Sequence, residues 1–113
     1  MGMDFAVTIY ALTKRFPREE VYGLTGQLRR AAVAIPSNIS EGHQQGINAY
    51  LHFVVLALGS LAEAETQIEL SKRLNFVPEN VFASIAEDAA SLRRVLHGLR
   101  RSLAARKQKG ANP

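Results

Sequence analysis

The residues of this chain that could do chemistry are three histidines, ten carboxylates and fourteen basic side chains, with no cysteine. Without thiols there is no disulfide framework and no thiolate zinc site. Helical bundles that hold paired iron or manganese ions present Glu-x-x-His pairs from two helices. Here Ser40 stands three residues before His43, Ala49 before His52 and Arg94 before His97. That metal centre is therefore not expected, nor any other cofactor. The sequence has no Walker-type phosphate loop, and no serine or threonine lies in a motif that would activate it. A non-enzymatic protein is the expectation.

Two polar features remain. Glu65 falls one helical turn from both Leu61 and Ile68, inside an apolar arc. An isolated buried charge is too costly to keep, and stranding its partner would cost about 3–5 kcal/mol. The spacing therefore calls for a polar network that fixes helix register or subunit pairing. Arg29 and Arg30 are candidate partners for Glu65, with Asn38 and Gln27 beside the same apolar face and Glu41 one turn on. A binding or catalytic acid drawn from Glu63, Glu65 and Glu69 is the weaker reading.

The second feature is charge asymmetry. The net charge of +4 combines seven basic and ten acidic residues before position 89 with seven basic residues and no acid after it. Those seven are Arg93, Arg94, Arg100, Arg101, Arg106, Lys107 and Lys109. Cations on one helix can track nucleic-acid phosphates, and the candidate contact set is Arg93, Arg94, Arg100, Arg101, Arg106 and Lys107. The plainer reading is a solvated face whose cations suit a helix C-terminus. No aromatic residue is interleaved there to stack on unpaired bases.

The elements that would position these groups all read with helical period. Helix 1 is expected from Asp4, a natural N-cap, to Phe16 before Pro17, with Phe5, Ile9, Leu12 and Phe16 inward. Helix 2 starts near Leu24 and keeps Ile35 and Ile39 in phase across Pro36. That phase favours one kinked helix over a break in which Asn38 and Glu41 form a capping box. Gly42 to Gly46 marks a turn rather than a GxxxG packing motif. Helix 3 spans Ile47 to Leu74 with Asn75 as a left-handed stop, and its apolar arc of roughly 200° exceeds the stripe one seam needs. A second subunit is the simplest cover for the excess. Helix 4 opens at Pro78 and runs to about Arg106 on a heptad seam of Ile85, Ala89, Leu92, Leu96, Leu99 and Leu103. Residues 107–113 are expected to form a disordered tail.

These elements predict one domain over residues 1–113, an all-α, antiparallel up-down-up-down four-helix bundle. The mostly apolar stretch Ala49–Ala62 is 14 residues long against the roughly 20 of a membrane span, so it reads as core and no membrane contact is expected. The N-terminus lacks a signal-peptide pattern, and Ala6 stands where a myristoylation motif needs Ser or Thr. A cytoplasmic location is the expectation.

The segment Gln27-Leu28-Arg29-Arg30-Ala31-Ala32-Val33-Ala34-Ile35-Pro36-Ser37-Asn38-Ile39-Ser40-Glu41-Gly42 resembles the signature of a bacterial family. Its members are four-helix-bundle proteins first noticed as reading frames in intervening sequences of large-subunit ribosomal RNA genes. Gly59-Ser60-Leu61-Ala62-Glu63-Ala64-Glu65-Thr66-Gln67 looks like the family's other shared stretch. The resemblance covers about residues 4–103. It implies a ring-like homo-oligomer of five subunits, and a similarity to the accessory variability determinant of diversity-generating retroelements, which partners a reverse transcriptase and nucleic acid. Relatives often carry charged residues after the Glu-Gly pair, where this chain has Gln44, Gln45, Ile47 and Asn48. The resemblance therefore places no RNA contact there. RNA or DNA bound at the basic end is the leading expectation; an adaptor that recognises another protein and no nucleic acid is the alternative.

Overall fold

Prolines, glycines and one asparagine divide the chain. In the computed structural model, which describes residues 1–111, α1 spans Met3–Thr13, α2 Leu24–His43, α3 Ile47–Arg73 and α4 Glu79–Ala111, with a 3-10 turn at Arg18–Glu20. No strand occurs among the described residues, so the chain is all-α.

The boundaries correct the sequence reading in several places. Asp4 lies inside the first turn of α1, and Gly2 takes the N-cap position at φ 85°. A Cβ there would sit 2.9 Å from Ile35 Cγ2 and 3.3 Å from Pro36 Cδ, so both the backbone and its close approach to α2 require glycine. At its other end α1 stops at Thr13, and the amides of Arg15 and Phe16 donate to Leu12 and Thr13, three residues back. That tightened turn brings the chain to Pro17.

α2 continues unbroken through Pro36, as the shared phase of Ile35 and Ile39 implies. The capping-box alternative does not form. Asn38 Nδ2 instead donates to the Ala34 carbonyl at 2.8 Å, and Glu41 accepts from Gln45 Nε2 at 3.2 Å. Asn75 does end α3 in the left-handed region, at φ 65°. The Phe76 amide donates to Ser71 and the Asn75 amide to Lys72, the paired bonds of a Schellman motif. Pro78 stands just before α4 and lends its carbonyl to the Phe82 amide. α4 extends past Arg106 to Ala111, so residues 107–111 are helical where a tail was expected, and residues 112 and 113 lie outside the described residues.

The helices pack in an uneven set. α3 is the centre, with extensive contact to α2 and α4; α1 rests mainly on α2 and only lightly on α4, and the backbones of α1 and α3 do not approach each other. The inward face of α3 is Val54, Ala57, Leu61 and Ala64, each 0% exposed. By length and composition α3 is apolar enough to cross a membrane, but that inward face is core. Its expected wide arc is only partly covered, since Val55 at its edge remains exposed, and Leu56, outside the arc, is exposed as well.

Length explains the rest. α1 has 11 residues and α4 has 33, about 16 Å against about 50 Å of axis. The first turns of α1, from Gly2 to Phe5, lie level with Asp88 to Leu92 of α4. Beyond that level α4 has no α1 beside it. Of the predicted seam, Ile85, Ala89, Leu96 and Leu103 are buried, and Leu92 and Leu99 are only partly so.

One glycine measures how closely α2 and α3 approach. A Cβ on Gly42 would lie 2.7 Å from Phe53 Cβ and 3.2 Å from Tyr50 Cα. Gly42→Ala should therefore cost about 1–3 kcal/mol by overpacking, despite alanine's better helix propensity. Denaturant midpoints at fixed protein concentration check this, with Gly46→Ala, which meets nothing within 4 Å, as the control. A raised midpoint for Gly42→Ala would show that the two helices are not this close.

Candidate nucleic-acid interface

Seven-residue spacing sorts the cations of α4 into rows, because seven residues make nearly two turns, about 10.5 Å of rise. Arg93, Arg100 and Lys107 form one row, and Arg94 and Arg101 form a second, with Arg106 on another side. The structure divides these rows by partner. Arg93 forms an ion pair with Glu65 of α3, and the two side chains are 41% and 28% exposed. Arg94 reaches Glu87 at 3.4 Å and Ser91 Oγ at 3.0 Å on its own helix. Arg100, Arg101, Arg106, Lys107 and Lys109 are exposed and form no ion pair among the described residues. The uncompensated charge is therefore concentrated in the last third of α4, beyond the reach of α1.

The expected network around Glu65 is not assembled. Its partner is Arg93, one of the residues assigned to phosphate contact, and neither Arg29 nor Arg30. Arg29 is turned toward α1, where its Nε donates to Thr13 Oγ1 at 2.7 Å and its guanidinium lies 4.6 Å from the centre of the Tyr10 ring. Thr13 Oγ1 in turn donates to the Ile9 carbonyl at 2.8 Å. Arg29 thus ties α1 to α2. Arg30 is exposed and lines a shallow α2–α3 groove with Gln27, Ser60, Glu63 and Gln67. Asn38 and Glu41 make only the local bonds given above, to Ala34 and Gln45. The physical reason is topological: Glu65 lies on the side of α3 that faces α4, whereas the helical wheel of α3 alone does not say which neighbour occupies which flank.

The groove has a second consequence. Gln27 to Ala34 of α2 and Ser60 to Gln67 of α3, parts of the two stretches singled out in the sequence, face each other there. Gln67 Oε1 is buried in this region without a hydrogen-bond partner. Among the described residues, no group of three or more His, Asp or Glu side chains is placed to hold a metal ion.

A family model described as 23S rRNA-intervening sequence protein matches residues 1–98. Among solved structures, the chain is similar to a protein of unknown function from the S23 ribosomal protein family of Bacteroides thetaiotaomicron. The two share 25% identity and a TM-score of 0.81, over 88% of this chain and 94% of that one. No curated protein matches. The free cations from Arg100 onward lie outside the matched residues 1–98, so they belong to this chain's own sequence rather than to the matched pattern.

The half-exposed Glu65–Arg93 pair should contribute little to stability. Glu65→Ala is expected to cost about 0–1 kcal/mol, far less than removal of one partner from a fully buried pair. A double-mutant cycle with Arg93→Ala measures the coupling directly. A loss above about 3 kcal/mol would place the pair in a buried setting.

Proposed function

The chain belongs to the 23S rRNA-intervening sequence protein family, and we propose that it is a non-enzymatic, cytoplasmic homo-oligomer that binds the backbone of RNA or DNA through the end of α4. The observation that carries this reading is the cluster of exposed cations without ion pairs, Arg100, Arg101, Arg106 and Lys107, on one continuous helix. Arg93 and Arg94 are engaged with acids, so they contribute less than the sequence suggested. Such a patch recognises charge, not base identity, because base edges must be read by directed hydrogen bonds in a groove.

We further infer an antiparallel up-down-up-down arrangement and a ring of subunits. Neighbouring residues run in opposite order along successive helices, which supports the first. Gly2 lies by Ile35, Gly42 by Tyr50 and Phe53, and Lys72 by Glu79 and Phe82. The exposed apolar residues on α1 and α3 support self-association, and the number five comes only from the family resemblance. In a ring, several weak basic patches act together and their phosphate contacts sum. The second reading, a protein-binding adaptor, draws on the same exposed apolar residues without using the cations.

Fluorescence anisotropy with random-sequence RNA and duplex DNA separates the two. Binding should weaken steeply with salt, each neutralised phosphate contributing about −0.9 to the slope of log K against log salt on duplex DNA. Replacing Arg100, Arg101, Arg106 and Lys107 with Gln should flatten that slope while helical circular dichroism stays unchanged. Absence of binding by the native chain at about 50 mM salt, where phosphate contacts are strong, would leave the adaptor reading as the better one.

A further inference from the structure

α1 is apolar on more sides than the chain covers. Phe5, Ile9 and Leu12 face the core, while Met3 is 64%, Val7 64% and Tyr10 41% exposed. A helix apolar all round is ordinarily a buried one. The exposed residues step 4-3, and Lys14 continues the line after four more. The Arg29 guanidinium over the Tyr10 ring holds that side chain in place.

The outer side of α3 carries a line with the same steps: His52, Leu56, Gly59 and Glu63, all exposed. Leu56 is 42% exposed, and Val55 beside it 43%. Gly59 is the anomaly in this line. A Cβ there would meet nothing within 4 Å, and a mid-helix glycine is less stable than alanine. Nothing within the chain calls for it. Close approach by another molecule would.

We infer that α1 of one copy lies along the outer side of α3 of the next, in a head-to-tail contact; this rests on the proposed homo-oligomer. Lys14 and Glu63 form no ion pair within the chain among the described residues, and their charges are complementary. With the two helices parallel, the register that sets Lys14 against Glu63 also sets Val7 against Leu56 and the Tyr10 ring over Gly59. The missing side chain then makes room for the largest side chain of the ridge. Within one copy the backbones of α1 and α3 do not approach each other and these two faces point outward, so each face needs a different molecule. Two unlike faces make a heterologous interface, which closes into a ring or extends as a filament.

The test uses the full chain and light scattering coupled to size exclusion, with helical circular dichroism to verify folding. The native chain should elute at several times 12.4 kDa. Val7→Asp, which spoils the ridge, and Leu56→Asp, which spoils the α3 face, should each reduce the mass to one chain. Mixed together they should form a one-to-one dimer, because the first retains its α3 face and the second its ridge. Lys14→Glu should raise the dissociation constant about two- to fivefold, as an exposed ion pair would, and adding Glu63→Lys should restore it. A monomeric native chain would overturn both the oligomer and this contact. Native-like mass for either Asp variant, or no dimer on mixing, would overturn the contact alone and leave the oligomer standing.

Discussion

Close approach of α2 to α3 is the constraint from which the other features follow. Small buried residues make it possible: Ala31, Ala32 and Gly42 on α2, with Ala57, Ala64 and Ser71 on α3. Side chains of this size bring helix axes near one another, so van der Waals contact is dense even where little hydrophobic area is gained per residue. With one flank of α3 committed to α2, Glu65 is directed to the other flank and meets Arg93 of α4. The first half of the α2 stretch and most of the α3 stretch with the clearest family character thus face each other across this packing interface.

The short first helix is the second determinant. α1 is fixed to α2 at both ends, through Gly2 against Ile35 and Pro36 and through Arg29 against Tyr10 and Thr13. Its light contact with α4 leaves shallow grooves between them, one lined by Thr8, Leu12, Arg15, Val81, Ser84 and Ile85. Because α1 is so much shorter than α4, the C-terminal part of α4 extends with core on one side only. The basic residues occupy that part. Cations cost little where water reaches them on most sides and would cost far more beneath a covering helix.

Electrostatics therefore follows geometry. Acids on α3 and the first half of α4 neutralise the nearer cations: Glu65 takes Arg93, Glu87 takes Arg94, and Glu79 takes Lys72 at 3.3 Å. Past Arg94 there is no acid left in the chain. Each exposed pair contributes little to stability, but together they confine the positive field to one end of the molecule. A field confined in that way steers a polyanion to a defined location.

Periodicity and local backbone preference were enough to read the helical class, the number of helices, the Asn75 stop and the continuity of α2 across Pro36 from the residues alone. The charge asymmetry was equally legible, because it is a count. Which helix flanks which was not. Arg29 read as a partner for Glu65 because both lie near apolar stripes, yet Arg29 turns toward α1 and Glu65 toward α4. The need for glycine at position 2 was not legible either, because the side chains it nearly touches, Ile35 and Pro36, are distant in sequence. The wide apolar arc of α3 was legible, but which part of it α2 and α4 bury, leaving Val55 exposed, was not. A helical wheel gives angles around one axis; only packing fixes where the neighbouring axes stand.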